Sequence, residues 1–238
     1  MTPNEFRASI RPPRRDGERA SHEPPYLYHA APLHYLPRIL ECGMLRCASV
    51  LAADGVAPRP GAKRRDRMLG LGDWVHLSAY ARTPLLADKI RRGLPHALLV
   101  FDGPATLALP GVALLPRNTK AWRSRAAFHP VQDPPDCARL LNGHLHRGRH
   151  PSLEILVQYA LGLETLLRVA LIDAQEAGML RDTAHAIGAA SSFPMTVEPE
   201  LFPGARAYDP QTLDAVTSYF ADCRVAGRAF ASPSIRFD

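Results

Sequence analysis

Short apolar segments, none longer than a single β-strand, recur along the chain and restrict the folds that it can form. They are rich in Leu, Val and Ile and are separated by polar, proline- or glycine-containing sequence. No GxGxxG turn and no P-loop follows any of them, so the pattern does not favour a doubly wound sheet. It predicts a mixed α/β domain with short strands. These are expected at 26–29, 74–80, 96–101, 112–115, 153–158, 166–172 and 195–199.

Helix signals stand between the predicted strands. Near 36–42, Pro37 suits a first helical turn and Gly43 suits the residue after the last turn. Thr83 followed by Pro84 predicts the cap and first position of a second helix. Helices are therefore predicted near 36–42, from Pro84 to just before Gly93, near 174–189 and near 210–223.

The composition suits one folded domain preceded by a polar arm. Of the 238 residues 46% are hydrophobic, which allows a sizeable core. Residues 1–24 are basic and proline-bearing, which predicts a flexible arm. We expect 25–238 to form a single domain in which 175–238 is a C-terminal helical extension. Polar loops are predicted at 52–67 and at 116–151, where arginine and histidine are frequent.

Charge and hydropathy indicate the kind of partner. No apolar stretch approaches the roughly 18 residues of a membrane span, and the start lacks the apolar core of a secretory signal. We therefore expect a cytoplasmic protein with no membrane partner. The net charge is +6, and Lys63, Lys89 and Lys120 are the only lysines, so nearly all the positive charge is arginine. Arginine suits phosphates and base faces; a codon bias towards arginine is the alternative explanation.

A carboxylate stands near the start of an apolar strand. Alternation places Glu154, Leu156 and Gln158 on one face of that strand. A buried carboxylate is costly unless it is paired or faces a cleft, which makes Glu154 a candidate catalytic residue. The alternative is an edge-strand glutamate that faces water.

Two further positions are candidates for binding. Arg82 lies between a predicted strand and a capped helix, where free N–H groups and an arginine could hold phosphate oxygens. His29, near the end of the first predicted strand, could bind a ribose hydroxyl or an amide. A surface arginine and a structural histidine are the alternatives.

Histidines are frequent in the predicted loop at 116–151. His144, His146 and His150 form an HxHxxxH cluster, but no cysteine or carboxylate set nearby would complete a zinc site. We therefore predict no metal. Arg147, Arg149 and His150 are instead predicted to form a basic substrate loop that contacts phosphate or an exposed base.

Three stretches in the same order resemble the DarT-type DNA ADP-ribosyltransferases. YLYHAAPLHYLPRILECGMLR resembles the family's Tyr-His strand followed by a helix with a Leu-Pro-x-Ile-Leu core. WVHLSAYARTPLLADKI is similar to its strand followed by Arg-Ser/Thr-Pro-Met/Leu, and SLEILVQ with LLRVALI is similar to its Ala-Glu-x-Leu-Val strand and the next one. The resemblance covers roughly residues 26–172. Two departures are Ala31, where the family has Thr, and Tyr35, where it has Asn.

The resemblance implies an α/β (α+β) ADP-ribosyltransferase-like fold with a split mixed β-sheet and flanking helices. It implies NAD as the donor substrate, Glu154 as the catalytic glutamate, and Arg82 as the arginine near the NAD pyrophosphate and the target base. His29, with the backbone at Ala30 and Ala31, would hold the nicotinamide end. The implied nicotinamide pocket also includes Tyr80, and the implied substrate loop lies within 117–151.

The implied activity is that of an NAD-dependent ADP-ribosyltransferase, in the glycosyltransferase (pentosyltransferase) class. It would modify a base in single-stranded DNA as a toxin, with a macrodomain antitoxin as partner. Alternatives with this fold are transfer to RNA or protein, and NAD-dependent removal of a 2′-phosphate from RNA. A further alternative is a non-catalytic nucleic-acid-binding protein on a degenerate transferase fold.

Overall fold

A computed structural model describes residues 24–56, 68–116, 129–147, 153–189, 193–202, 204 and 210–230. Within these ranges nine strands form two sheets, and seven α-helices flank them. The strands are β1 (Tyr26–Pro32), β2 (Met44–Arg46), β3 (Trp74–Ser78), β4 (His96–Asp102), β5 (Val112–Leu115), β6 (Glu154–Gln158), β7 (Ala160–Gly162), β8 (Leu166–Leu171) and β9 (Met195–Val197). The helices are α1 (Leu36–Cys42), α2 (Ala48–Ala53), α3 (Pro84–Arg91), α4 (Gly103–Leu107), α5 (Pro134–Arg147), α6 (Ala174–Ala186) and α7 (Pro210–Ala226).

The main sheet is mixed and is divided near its middle. Its seven strands lie in the order β5-β6-β3-β1-β4-β8-β9, and only β8 and β9 run parallel. Strand β1 pairs with β4 at seven positions but with β3 at one, where Tyr28 faces Ser78. The sheet therefore has two halves, β5-β6-β3 and β1-β4-β8-β9, which part between β1 and β3. This confirms the predicted α/β (α+β) class with a mixed sheet and flanking helices.

Local signals account for the first helix, and pairing accounts for the length of the first strand. Helix α1 has the predicted bounds, with proline in its first turn and Gly43 after its end at a φ of 65°, which glycine adopts without strain. Strand β1 is longer than predicted and continues to Pro32, because its last residues pair with the start of β4. His29 therefore lies in the middle of the strand.

The larger core covers one face of the main sheet. Helices α1, α6 and α7 pack there and contribute Leu36, Leu180 and Phe220, all fully buried. Helices α6 and α7 are thus part of the core of the fold, although they fall in the segment that shows no family resemblance. The division into an arm at 1–24 and a single domain at 25–238 stays a prediction, since 1–23 lie outside the described residues.

The opposite face carries two smaller apolar clusters, one on each half of the sheet. On the β1-β4-β8 half, Leu86 and Ile90 of α3 pack against the strands. On the β5-β6-β3 half, Leu69 and Leu71 pack against Leu156. Side chains at the line where the halves part lie between these clusters. We call them the junction cluster: Tyr28, Ala30, His76, Ser78 and Glu154.

The predicted loop at 116–151 is wrong over 134–147, where the structure has the 14-residue helix α5. The Asp133 carboxylate accepts a hydrogen bond from the Asp136 N–H at 3.4 Å, and Cys137 and Leu141 are buried in the main core. Arg147, assigned to a loop, is therefore the last residue of a helix. Arg149 and His150 lie outside the described residues.

The predicted loop at 52–67 begins within α2, which extends to Ala53, and its residues 57–67 lie outside the described ranges. None of the helices in the described part of the chain has the length and apolar character needed to span a bilayer.

Candidate active site

Glu154 lies beside the line where the two halves of the sheet part. It is the first residue of β6 and pairs with Ser78, which in turn pairs with Tyr28 on β1. Paired residues share a face, so the three side chains form a row across the junction. The Glu154 side chain is 15% exposed, so its carboxylate is largely enclosed and still reaches solvent.

His76 is the neighbour of this carboxylate. Its Nδ1 lies 3.3 Å from Oε2 of Glu154. The two residues are diagonal neighbours on adjacent antiparallel strands, because Glu154 pairs with Ser78 and His76 stands two residues before Ser78. The sequence pattern alone gave His76 no role. Alternation in 74–80 places it on the face of Ser78, but only the pairing of β3 with β6 brings it to Glu154.

His29 joins β1 to β3 where the backbone pairing ends. Its Nδ1 lies 2.8 Å from the carbonyl oxygen of His76. A carbonyl only accepts, so Nδ1 carries the hydrogen and donates it. Burial lowers the pKa of His29 below its ordinary value of 6.5, so the ring is neutral at neutral pH. Its Nε2 is then a hydrogen-bond acceptor, suited to a ribose hydroxyl or an amide N–H.

The turn between β3 and α3 crosses the junction. Strand β3 belongs to one half of the sheet, whereas α3 packs on the other half. The hydroxyl of Ser78 accepts a hydrogen bond from the Tyr80 N–H at 3.0 Å, and the Thr83 hydroxyl accepts from the Leu86 N–H at 3.1 Å, which confirms the predicted cap. Both hydrogen bonds hold the turn in place beside the line where the two halves of the sheet part.

Arg82 lies in this turn, four residues after Ser78, and is exposed. Its guanidinium forms no hydrogen bond or ion pair with any other residue that the structure describes. An arginine without a carboxylate partner keeps its five donors for a ligand such as a pyrophosphate. Tyr80, in the same turn, is half-buried.

The remaining predicted site residues are placed differently. Ala30 is half-buried in the junction cluster, whereas Ala31 is 1% exposed and faces the main core opposite Ala97. Contacts of NAD with the backbone of both alanines stay predictions. So does the role of Arg147, Arg149 and His150.

Tyr28 adds a hydroxyl to the junction cluster. Burial raises the pKa of Tyr28, so its hydroxyl stays protonated at neutral pH. Among the described residues, no three His, Cys, Asp or Glu side chains are grouped so that they could hold a metal ion. The donors at the junction are thus carboxylate, imidazole and hydroxyl groups, which suit hydrogen bonding to a sugar.

Solved structures of DarT share this architecture. DarT from Thermus sp. 2.9 in complex with ADP-ribosylated ssDNA is similar to the chain with a TM-score of 0.59 and 16% identity, over 76% of this chain and 97% of that one. The same DarT in complex with NAD+ gives a TM-score of 0.55 and 15% identity, over 76% of this chain and 98% of that one. The chain has the DarT-type ADP-ribosyltransferase fold.

A longer protein contains the same fold. DarTG from Thermosipho africanus in complex with ADP-ribose matches with a TM-score of 0.55 and 16% identity, over 74% of this chain and 50% of that one. No protein-family model and no curated protein matches the chain. The likeness to DarT confirms, at the level of fold, the resemblance seen in the three sequence stretches. In this DarT-type fold the Glu154 carboxylate and the Arg82 turn lie at the parting of the sheet.

Proposed function

We propose that this protein is an NAD-dependent ADP-ribosyltransferase that modifies a base in single-stranded DNA. The observation that carries the proposal is the position of Glu154, largely enclosed beside the parting of β1 and β3, with the Arg82 turn crossing the same parting. Support for the donor and acceptor comes from the DarT structures of the same fold, which hold NAD+ and ADP-ribosylated ssDNA.

The chemistry requires a carboxylate near the ribose. The bond between the ribose C1′ and the nicotinamide nitrogen breaks, and nicotinamide leaves with the bonding electrons. Positive charge builds on the ribose ring, and a carboxylate at Glu154 would stabilise it. A nitrogen or oxygen of the nucleobase then bonds to C1′ from the opposite face. The proton on that atom is lost to solvent or to a neighbouring proton acceptor.

The other residues would orient the donor. Arg82 would bind the pyrophosphate through paired N–H groups and hold the reacting carbon in place. Neutral His29 would accept a hydrogen bond through Nε2 from the ribose or the carboxamide. Tyr80 and the backbone at Ala30 and Ala31 would line the space for the nicotinamide ring.

A labelled donor tests the proposal. NAD labelled in its adenylate phosphate is incubated with the full chain and a mixture of single-stranded DNA, matched duplex, RNA and protein. We expect label in the single-stranded DNA, accompanied by release of nicotinamide. Label in RNA or protein would change the assigned acceptor. No label in any fraction, with no nicotinamide released, would overturn the enzymatic assignment and favour a nucleic-acid-binding protein.

NAD binding should depend on the protonation of His29. The neutral ring accepts through Nε2, and a protonated ring cannot. Because burial places the pKa of His29 below 6.5, we expect NAD binding to persist at that pH and to weaken only under more acidic conditions. Calorimetry of NAD binding across this range measures the effect. His29→Ala should bind NAD more weakly at every pH, lose the acid dependence and leave the nucleic-acid preference unchanged; an unaltered affinity would contradict the assignment.

Binding of the acceptor should depend on Arg147, the last residue of α5, and on Arg149, two residues later in the sequence. Replacing Arg147 and Arg149 by Ala should weaken binding to single-stranded DNA and leave NAD binding nearly unchanged. For every phosphate that the variant no longer neutralises, the slope of log K against log salt should become shallower by roughly 0.7. Arg181 and Arg228 are exposed and lie outside 117–151, and their double alanine variant is a charge-matched control. An equal effect in both double variants would mean that only net charge matters, and weaker NAD binding would assign the segment to the donor site.

The proposal extends to toxicity. ADP-ribose attached to a base of single-stranded DNA would obstruct base pairing and copying of the strand. We expect expression of the chain to arrest bacterial growth, and a macrodomain that removes the modification to relieve it. Growth unaffected by an active enzyme would argue against a toxin.

A further inference from the structure

His76 contacts both Glu154, the proposed catalytic residue, and His29, the proposed donor-binding residue. Its ring lies 3.3 Å from the Glu154 carboxylate, and its backbone carbonyl accepts the hydrogen bond of the His29 ring at 2.8 Å. It stands on β3, between the strand that carries His29 and the strand that carries Glu154. One residue therefore connects the donor-binding and the catalytic side chains through two different groups.

The hydrogen bond between His76 and Glu154 has a defined donor and acceptor. An ionised carboxylate only accepts, so Nδ1 of His76 must carry a hydrogen and donate it to Oε2. The His76 side chain is 32% exposed and that of Glu154 15%, so the hydrogen bond is partly shielded from water. Such charge-assisted hydrogen bonds are stronger than neutral ones.

Glu154 has no other restraint on its carboxylate within the described part of the chain. No other described side chain or backbone group forms a hydrogen bond or ion pair with it. Pairing with Ser78 and Leu115 fixes the backbone of Glu154 and not the orientation of its carboxylate. With Oε2 held by His76, Oε1 forms no hydrogen bond with another described residue and is available to a ligand.

We propose that His76 is a positioning residue: its ring holds the Glu154 carboxylate in the orientation that transfer requires. This inference rests on the proposed transferase function. The hydrogen bond donated by the His29 ring is accepted by the backbone carbonyl of His76, so it survives replacement of the His76 side chain. Removal of the ring should therefore affect the turnover step and leave donor binding unchanged.

Kinetics of two variants test the role. His76→Ala should lower kcat by about 10- to 100-fold, the scale of a misplaced reacting group, with NAD affinity in calorimetry unchanged. His76→Asn should recover most of kcat, because its amide nitrogen stands near the position of Nδ1 and can donate to the carboxylate. Equal kcat values for the Ala and Asn variants, or an effect that is confined to NAD affinity, would overturn the proposal.

A spectroscopic measurement tests the contact without relying on activity. In ¹⁵N-labelled full chain, the ring nitrogens of His76 should report a hydrogen on Nδ1, and Glu154→Ala should shift the Nδ1 resonance because the acceptor is removed. Glu164→Ala, at an exposed carboxylate outside the junction cluster, should leave it unchanged. A His76 spectrum identical in wild type and Glu154→Ala would overturn the proposal. A wild-type chain that transfers no ADP-ribose would overturn the proposed function and the positioning role with it, and the Nδ1 shift would then establish only the hydrogen bond between His76 and Glu154.

Discussion

We expect Glu154→Ala to abolish ADP-ribose transfer while the fold stays intact. The carboxylate would stabilise the positive charge that builds on the ribose, and removing a preorganised charge of this kind costs roughly 10²–10³-fold or more in kcat. The fold should tolerate the change, because Glu154 is the first residue of β6 and its carboxylate contacts only the His76 ring among the described side chains. Release of nicotinamide from labelled NAD measures the rate.

A second variant and a control separate catalysis from stability. Glu154→Gln keeps the shape of the side chain and removes the charge, so its kcat should fall as in the alanine variant. Glu164→Gln removes an exposed carboxylate away from the junction cluster and should keep full activity. Thermal melting of all variants shows whether the fold is retained. Wild-type turnover in a folded Glu154→Gln variant would contradict the assignment of Glu154 as the catalytic residue.

Local signals predict much of this fold. Helix α1 is marked by Pro37, which has no N–H to leave unpaired in the first turn, and by Gly43, which adopts the left-handed conformation after its end. The start of α3 is marked by Thr83, whose hydroxyl accepts a hydrogen bond from the first turn. Strand β5 and most of β4, β6 and β8 follow from short apolar runs whose residues are mostly buried. The end of β1 depends on pairing with β4, which a local pattern does not encode.

Helix α5 shows what a local pattern can conceal. Its polar and histidine-rich composition suggested a loop, but its buried Cys137 and Leu141 are one helical turn apart. The preceding Asp133, with Pro134 after it, is a helix start signal that the frequency of arginine and histidine obscured. Burial of an apolar stripe against the core outweighs the low helix propensity of the remaining residues.

The sequence predicts the candidate site only in part, because some of its contacts depend on strand pairing rather than on a local pattern. Glu154 could be singled out because a carboxylate in an apolar strand is costly on its own. His76 could not, because its neighbour is 78 residues away and the contact exists only through the register of β3 with β6. The parting of β1 from β3 likewise follows from how two strands pair, and no single segment of sequence records it.

Arg82→Lys is expected to impair transfer severely, by roughly 10²-fold, although the charge is kept. A guanidinium presents a planar fork that can bind two pyrophosphate oxygens at once, whereas an ammonium is a point charge without that geometry. The turn that carries Arg82 is held by the hydrogen bonds of Ser78 and Thr83, so a lysine there would be placed by the same backbone. The difference in activity between the wild type and Arg82→Lys would then reflect the charged head group of the side chain alone.

Steady-state kinetics with NAD as the varied substrate measure this effect, and calorimetry measures donor affinity. Weaker hydrogen bonding to the pyrophosphate should reduce NAD affinity as well as kcat, since Arg82 would bind the donor in the ground state and in the transition state. Arg91→Lys is a matched control, because Arg91 ends α3 and its ion pair with Asp88, at 3.5 Å, is exposed. Full activity in Arg82→Lys would mean that charge alone suffices or that Arg82 does not contact the donor. A low kcat with unchanged NAD affinity would move its role from the pyrophosphate to the acceptor base.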